Sequence, residues 1–296
     1  MQSCSWIGAI PALITPMHDQ GDVDAKNTER FFLKHEQSAC QAVVLLGSTG
    51  EGCMLDQAEA KKVWSIGQSV FQKTDVIAGI AAASTRQALQ KATLAEQLGA
   101  KALLVSPPYY IKPCIQAMEE YVHALIAETS LPIMLYDIAQ RTGVSMPEDI
   151  LNRFQDRPRV FAIKDASGSL QKAYVRLKNS SGPAFYSGDD ATSWLTTLAG
   201  GHGCVSVIAN LFPDRMHHML LSAMQGDHVG TRSQLKTLEP WLQAIALAGN
   251  PSAVKYLAGK MFGFSHALRA PLRLPDASAR ASMDALCEAC AEMSFT

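Results

Sequence analysis

No charge of either sign dominates this chain: 27 Asp and Glu residues stand against 26 Lys and Arg. A near-neutral balance leaves no electrostatic footprint for nucleic acid or for an anionic membrane surface. Long apolar runs are also missing. The run nearest the N-terminus, Ile7 to Ile14, is short and interrupted by Pro11, and Met1 to Ser5 before it carry no basic residue. That pattern fits neither a membrane span nor a secretory signal. Seven cysteines, an odd number scattered over 296 residues, do not make a disulfide framework. Cys287 and Cys290 are the only close pair, with no second pair and no histidine after His266, so no metal site is expected. No Gly-x-Gly-x-x-Gly follows the first apolar run and no Walker A motif occurs, which removes the commonest nucleotide-binding devices. The expectation is a reduced, cytoplasmic protein with buried thiols.

What is present is enough apolar material for a large core, 48% hydrophobic residues against 18% charged. Short β-like runs alternate with helical patterns. The runs are Ile7–Ile14, Ala42–Leu46, Val76–Ile80, Ala102–Ser106, Ile133–Asp137, Val160–Lys164, Ala184–Gly188 and Gly203–Val207. Helical patterns follow each, over Asp24–Ser38, about Asp56–Phe71, Ser84 to Gly99, Pro113 to Thr129, from Pro147, from Leu170, Ala191–Ala199 and Leu211–Met224. Strict alternation implies a parallel sheet with crossover helices. Eight such units fit a closed (β/α)8 barrel, which takes ~250 residues. Residues 1–226 are therefore predicted to form the barrel. Residues 227–296, helical only and broken near Gly249-Asn250-Pro251 and Pro271 to Pro275, form an extension packed on it.

In such barrels the reactive groups stand at the C-terminal strand ends. There the chain places Gly47-Ser48-Thr49-Gly50-Glu51, Ser106-Pro107-Pro108-Tyr109-Tyr110, Tyr136-Asp137 with Arg141-Thr142-Gly143, Lys164, Gly188-Asp189-Asp190 and Gly203 to Ser206. The lysine is the most informative. It closes the run Val160-Phe161-Ala162-Ile163, and strand alternation puts Ala162 and Lys164 on one face, Phe161 and Ile163 on the other. A half-desolvated lysine amine is suited to attack a carbonyl. Lysines 112, 255 and 260 do not end a buried run and rank below it. Two small hydroxyls in a Gly-bounded turn can hold a carboxylate, a tyrosine pair can move protons, and an arginine can clamp a second carboxylate. Singly, each is more often a turn, a core edge or a surface cation; together they suggest a site.

Several of these pieces carry a resemblance. Gly-Ser-Thr-Gly-Glu at 47–51, Pro-Pro-Tyr-Tyr at 107–110, Tyr-x-x-x-x-Arg-Thr-Gly at 136–143 and Ile-Lys-Asp-Ala-Ser-Gly at 163–168 occur in that order. Ser-Gly-Asp-Asp at 187–190, Gly-Gly-His-Gly at 200–203 and Asn-Pro-x-x-x-Lys at 250–255 complete the series. Over essentially its whole length the chain resembles the dihydrodipicolinate synthase and N-acetylneuraminate lyase family of pyruvate-dependent class I aldolases. The resemblance implies a Schiff base between Lys164 and pyruvate with no other cofactor, Tyr136 as general acid/base, and Ser48 with Thr49 on the pyruvate carboxylate. It implies a proton relay of Thr49, Tyr110 and Tyr136, with Tyr110 from this subunit or a neighbour. Arg141 would hold the carboxylate of aspartate semialdehyde, and Gly188 and Val205 complete the substrate-binding set. A homo-oligomer, expected to be a tetramer, belongs to the same picture.

Departures keep two alternatives open: a catabolic aldolase or dehydratase acting on a 2-keto-3-deoxy sugar acid or another 2-oxo acid, and a non-catalytic metabolite-binding barrel. Tyr136-Asp137-Ile138-Ala139-Gln140 stands where synthases typically read Tyr-Asn-Val-Pro, and Asp165 stands where glutamate is usual. Gln57, Ala60, Ala83 and Gln87 replace the groups that bind inhibitory lysine in feedback-regulated synthases, and only Tyr109 of that cluster matches.

Overall fold

The computed structural model describes residues 6–147, 153–154, 159–178 and 182–289. Its strands are β1 (Gly8–Pro11), β2 (Ala42–Leu45), β3 (Asp75–Ile80), β4 (Ala102–Val105), β5 (Ile133–Asp137), β6 (Val160–Asp165), β7 (Ala184–Ser187) and β8 (Gly203–Ser206). All pair in parallel, in the order β1-β8-β7-β6-β5-β4-β3-β2. The two edges meet through one bridge, Ala12 to Val44, where Leu13 N donates to Val44 O at 2.9 Å. The result is the eight-stranded barrel that the alternation predicted.

The helices are α1 (Ala25–Glu36), α2 (Gln57–Val70), α3 (Thr85–Gln97), α4 (Ile115–Glu128), the single turn α5 (Ala139–Thr142), α6 (Leu170–Leu177), α7 (Ser193–Leu198) and α8 (Pro213–Met224). Beyond the barrel lie α9 (His228–Ala248), α10 (Ser252–Phe262) and α11 (Ala277–Ala289). Local chemistry sets several starts. Asp56 and Glu59 form a reciprocal capping box on α2, and Ser84 caps α3 through Gln87 N. The helix expected from Pro147 lies outside the described residues except at Pro147 itself and at 153–154. No helix among the described residues is long and apolar enough to cross a membrane.

Strand alternation divides the apolar residues into two layers. Ile10, Ala12, Val44, Ile77, Leu104, Met134, Ala162, Tyr186 and Val205 fill the barrel, while Leu45, Leu103, Leu135, Ile163 and Phe185 meet the helices. Trp6 plugs the N-terminal end: its indole donates to Asp75 Oδ2 (2.9 Å) and its carbonyl accepts from the Tyr186 hydroxyl (2.5 Å). One expectation fails here. Phe161 does not share a face with Ile163, because the β5–β6 register jumps from Ile133↔Val160 to Met134↔Ala162 and leaves Phe161 unpaired. The bulge turns its ring inward onto Trp6, with centroids 5.5 Å apart in an edge-on arrangement. Beyond the bulge the strand is regular, and Lys164 keeps the inward face.

Late residues hold the first strand. Asn210 Oδ1 accepts from Ile14 N, its Nδ2 donates to Ala12 O, and His217 Nδ1 accepts from Ala9 N.

Candidate active site

Tyr136 and Lys164 are register partners on β5 and β6, next to the C-terminal strand ends. Both are buried, and Lys164 Nζ lies 4.2 Å from the centre of the Tyr136 ring. Gly188 follows β7 directly beneath the lysine. A Cβ at this position would stand 2.8 Å from Lys164 Cε and 2.7 Å from Ala166 Cβ, so only glycine leaves room for the lysine side chain. Val205, fully buried on β8, belongs to the same inner layer.

Around the mouth, a cavity of about 430 Å³ is lined by Ser48, Tyr110, Tyr136 and Arg141, with Ser106 and Tyr109 beside them. The structure thus brings four of the expected residues to one cavity. Lys164, Thr49, Gly188 and Val205 are not in its lining; the lysine is joined to it through Tyr136.

The turn after β2 is built tightly. Gly52 N donates to Gly47 O and Glu51 N to Ser48 O, and Leu46 and Glu51 adopt left-handed backbone angles (φ 57° and 56°). A Cβ on Gly52 would lie 1.9 Å from Leu46 O, which makes glycine obligatory. Beneath the turn, Glu51 is buried and accepts from Lys255 Nζ (2.5 Å) and Arg269 N (2.8 Å). Burial pulls the Lys255 ammonium pKa down and the Glu51 carboxylate opposes this. Lys255 is therefore a brace for the turn and not a rival nucleophile.

Asn250, between α9 and α10, reaches the site from the extension. Its Nδ2 donates to Thr49 Oγ1 (3.0 Å), and its carbonyl accepts from Arg141 Nη2 (2.7 Å). Arg141 sits in α5, a turn of helix where the sequence suggested only a loop. Among the described residues, Thr49 Oγ1 bonds to this amide, and neither Tyr110 nor Tyr136 makes a hydrogen bond through its hydroxyl. Tyr110 is 89% exposed with φ 74°, beside the exposed Ile111. One chain, then, does not bring Thr49, Tyr110 and Tyr136 into a hydrogen-bonded relay.

Asp137, the extra carboxylate after Tyr136, turns away from the cavity into the helix layer. Its Oδ1 accepts from Met146 N (3.1 Å), and its Oδ2 accepts from Lys172 Nζ (2.5 Å) and Arg176 Nη2 (2.8 Å). Burial alone would raise its pKa, but the two cations outweigh burial and hold it below the usual carboxylate range. Sequence reasoning gave no role to Asn250, Lys172 or Arg176. The Asn-Pro-x-x-x-Lys motif was visible, but nothing local says what it touches.

The sequence model of the dihydrodipicolinate synthetase family matches residues 5–290. The chain belongs to this family. Among curated members it is 34% identical over 268 residues to the 4-hydroxy-tetrahydrodipicolinate synthase of Pseudomonas aeruginosa, covering 90% of this chain and 91% of that protein. The enzyme of the same name from Methylibium petroleiphilum is 32% identical over 268 residues, covering 90% and 92%. Of solved structures, a chloride-inhibited dihydrodipicolinate synthase from Acinetobacter baumannii, complexed with pyruvate, superposes with a TM-score of 0.91 at 30% identity, covering 95% of this chain and 98% of that one. A family member from Cyanidioschyzon merolae with lysine bound gives a TM-score of 0.89 at 28% identity, covering 96% and 98%. The dihydrodipicolinate synthetase family is thus matched along the barrel and most of the extension.

Proposed function

We propose that this protein joins pyruvate to aspartate semialdehyde through a Schiff base on Lys164, the reaction of a 4-hydroxy-tetrahydrodipicolinate synthase. The observation that carries this reading is the buried amine 4.2 Å from the Tyr136 ring, at the strand ends beside the cavity. In this scheme the Lys164 amine attacks the ketone carbon of pyruvate, and the carbinolamine loses water to give an imine. Tyr136 supplies the proton to the departing hydroxyl. Loss of a methyl proton gives the enamine, whose carbon forms the new bond to the aldehyde, and the aldehyde oxygen takes up a proton. Ser48 and Thr49 hold the pyruvate carboxylate in the turn after β2. Arg141, fixed by Asn250 and lining the cavity, clamps the carboxylate of the second substrate. The reading needs no cofactor beyond the covalent adduct.

A second copy of the chain belongs to this reading. Tyr110 projects almost wholly into solvent, with Ile111 and Ile115 exposed beside it. Packed against a neighbour, that apolar edge would be covered and the tyrosine delivered to another subunit's mouth. Sedimentation should show an oligomer, a tetramer in the full form of the proposal, and a monomer at micromolar concentration would refute this part. Buried thiols at Cys40 and Cys204 suit a reducing cytoplasm.

The deciding experiment treats the protein with pyruvate and borohydride, then maps the adduct. One pyruvate-derived mass is expected on the peptide carrying Lys164 and none on Lys164→Ala. A coupled assay with aspartate semialdehyde beside a panel of 2-keto-3-deoxy acids then fixes the second substrate. Turnover of the panel alone would support the catabolic reading; no adduct would support a binding protein.

A further inference from the structure

Directly after Tyr136 comes Asp137, and directly after Lys164 comes Asp165. Being one step on, both carboxylates face outward, behind the catalytic pair, and one side chain joins them. Arg176, on α6, donates from Nη1 to Asp165 Oδ2 (2.6 Å) and from Nη2 to Asp137 Oδ2 (2.8 Å) and Met146 O (2.9 Å). The three side chains are 3%, 1% and 0% exposed. Asp165 Oδ1 accepts from Ser167 N (2.8 Å), and Lys172, one turn before Arg176, adds its ammonium to Asp137. Both oxygens of each carboxylate are therefore satisfied, and among the described residues two cations, Lys172 and Arg176, face these two acids.

A buried network of this kind adds little stability over apolar packing of the same volume. Its distinctive property is geometric. A guanidinium presents donors in a rigid planar fork, and each arm here fixes the end of one strand. Main-chain bonds run along the same edge: Ala166 N to Asp137 O (2.9 Å) joins the end of β6 to β5, and Gly188 N to Asp165 O (2.7 Å) joins the residue after β7 to β6. The bulge at Phe161 interrupts the ladder below, and the fork adds a side-chain link at the end where Asp137 and Asp165 are register partners.

We propose that Arg176 is a positioning residue for the Schiff-base chemistry. By forking between Asp137 and Asp165 it holds the ends of β5 and β6 at one offset, and so sets Lys164 Nζ against Tyr136. It touches neither substrate and acts through the two carboxylates. The inference rests on the proposed role of Lys164.

The test compares Arg176→Lys, which keeps the charge but loses the fork, with Asp165→Asn, which keeps the shape but weakens one arm. Lys172→Gln serves as a third, partly exposed member of the cluster should Arg176→Lys not fold. Each is measured for melting temperature, for the rate and extent of borohydride-trapped pyruvate adduct, and for kcat per trapped site. The expected result is full labelling of Lys164 at saturating pyruvate, with the adduct rate and kcat per site lowered roughly 10- to 100-fold. KM for the second substrate should stay unchanged, because Arg141 is anchored elsewhere. The double variant should be no slower than Arg176→Lys alone, since both changes cut one linkage. A lower melting temperature with a wild-type adduct rate per site would overturn the proposal and leave a structural cluster. Multiplicative losses in the double variant would overturn it too, because Asp165 would then act without Arg176. If the wild-type protein gives no adduct on Lys164, the functional reading falls and the positioning role falls with it.

Discussion

At the scale of single residues, the site is a problem of clearance and proton traffic. Lys164 reaches its place beside Tyr136 past a position, 188, where a Cβ would stand 2.8 Å from its Cε. Gly188→Ala should push the lysine from its place beside Tyr136 and lower the rate of the trapped pyruvate adduct at least tenfold. The barrel should stay folded by circular dichroism; an unchanged adduct rate would mean the lysine has another path. Tyr136→Phe removes a hydroxyl and no packing. A positioned acid/base group contributes typically ~10²–10⁴-fold, so kcat should drop within that range while Lys164 still accepts pyruvate slowly. Steady-state turnover near the wild-type value would take Tyr136 out of the scheme. The placement of Lys164 and Tyr136 at strand ends was legible in the sequence, because a strand-end lysine and tyrosine are local features. Asn250 and Arg176 were not. Asn250 meets Thr49 from 201 positions away, and Arg176 meets Asp137 from 39. Only the folded chain creates those contacts.

At the scale of elements, strands were readable because short apolar runs end at Gly, Pro or Ser, and helices because caps such as Ser84 announce them. The misses have physical causes. A four-residue helix carries too little periodicity to show, so α5 passed for a loop. A parity argument assumes an unbroken ladder, and the bulge at Phe161 breaks it. The packed elements also set the response to acid. His35 on α1 is buried, and burial pushes its imidazole down to about 4. The unfolded chain therefore takes up a proton below pH ~6.5 that the folded chain refuses until about pH 4, and stability falls across that window. Asp137 acts lower down. Its depressed pKa stabilises the fold above the ordinary carboxylate value near 4, and that contribution is lost as pH falls through the folded value. The melting temperature should thus decline gently from about pH 6.5 and steeply below about 4. Asp137→Asn should flatten only the lower limb; an unaltered acid limb would show that Lys172 and Arg176 do not hold that carboxyl.

At the scale of the whole molecule, one prediction separates this chain from the lysine-bound family member of Cyanidioschyzon merolae. A bound amino acid must exchange the hydration of an ammonium and a carboxylate for partners in the protein. Gln87 offers an uncharged amide where a carboxylate is expected, and the side chain of Ala83 offers no hydrogen bond. Losing a charge-assisted bond costs about 1.5–3 kcal/mol, or roughly one to two orders of magnitude in affinity. Calorimetric titration with L-lysine should therefore show no binding below millimolar concentration, and the condensation assay no inhibition. Tight binding would restore end-product control.

The way the barrel closes has a further consequence, for its synthesis. Of the strands described, β1 leaves the ribosome first, yet its ladder partner is β8, and Asn210 and His217 bond Ala9 N, Ala12 O and Ile14 N in and just after it. With β2 it shares a single bridge. Until β8 emerges, then, the nascent chain carries an apolar strand without its ladder partner. A chain released before residue 203 would keep that strand bare. The first of these strands to be made is the last to gain its ladder, and premature termination leaves a chain prone to aggregate.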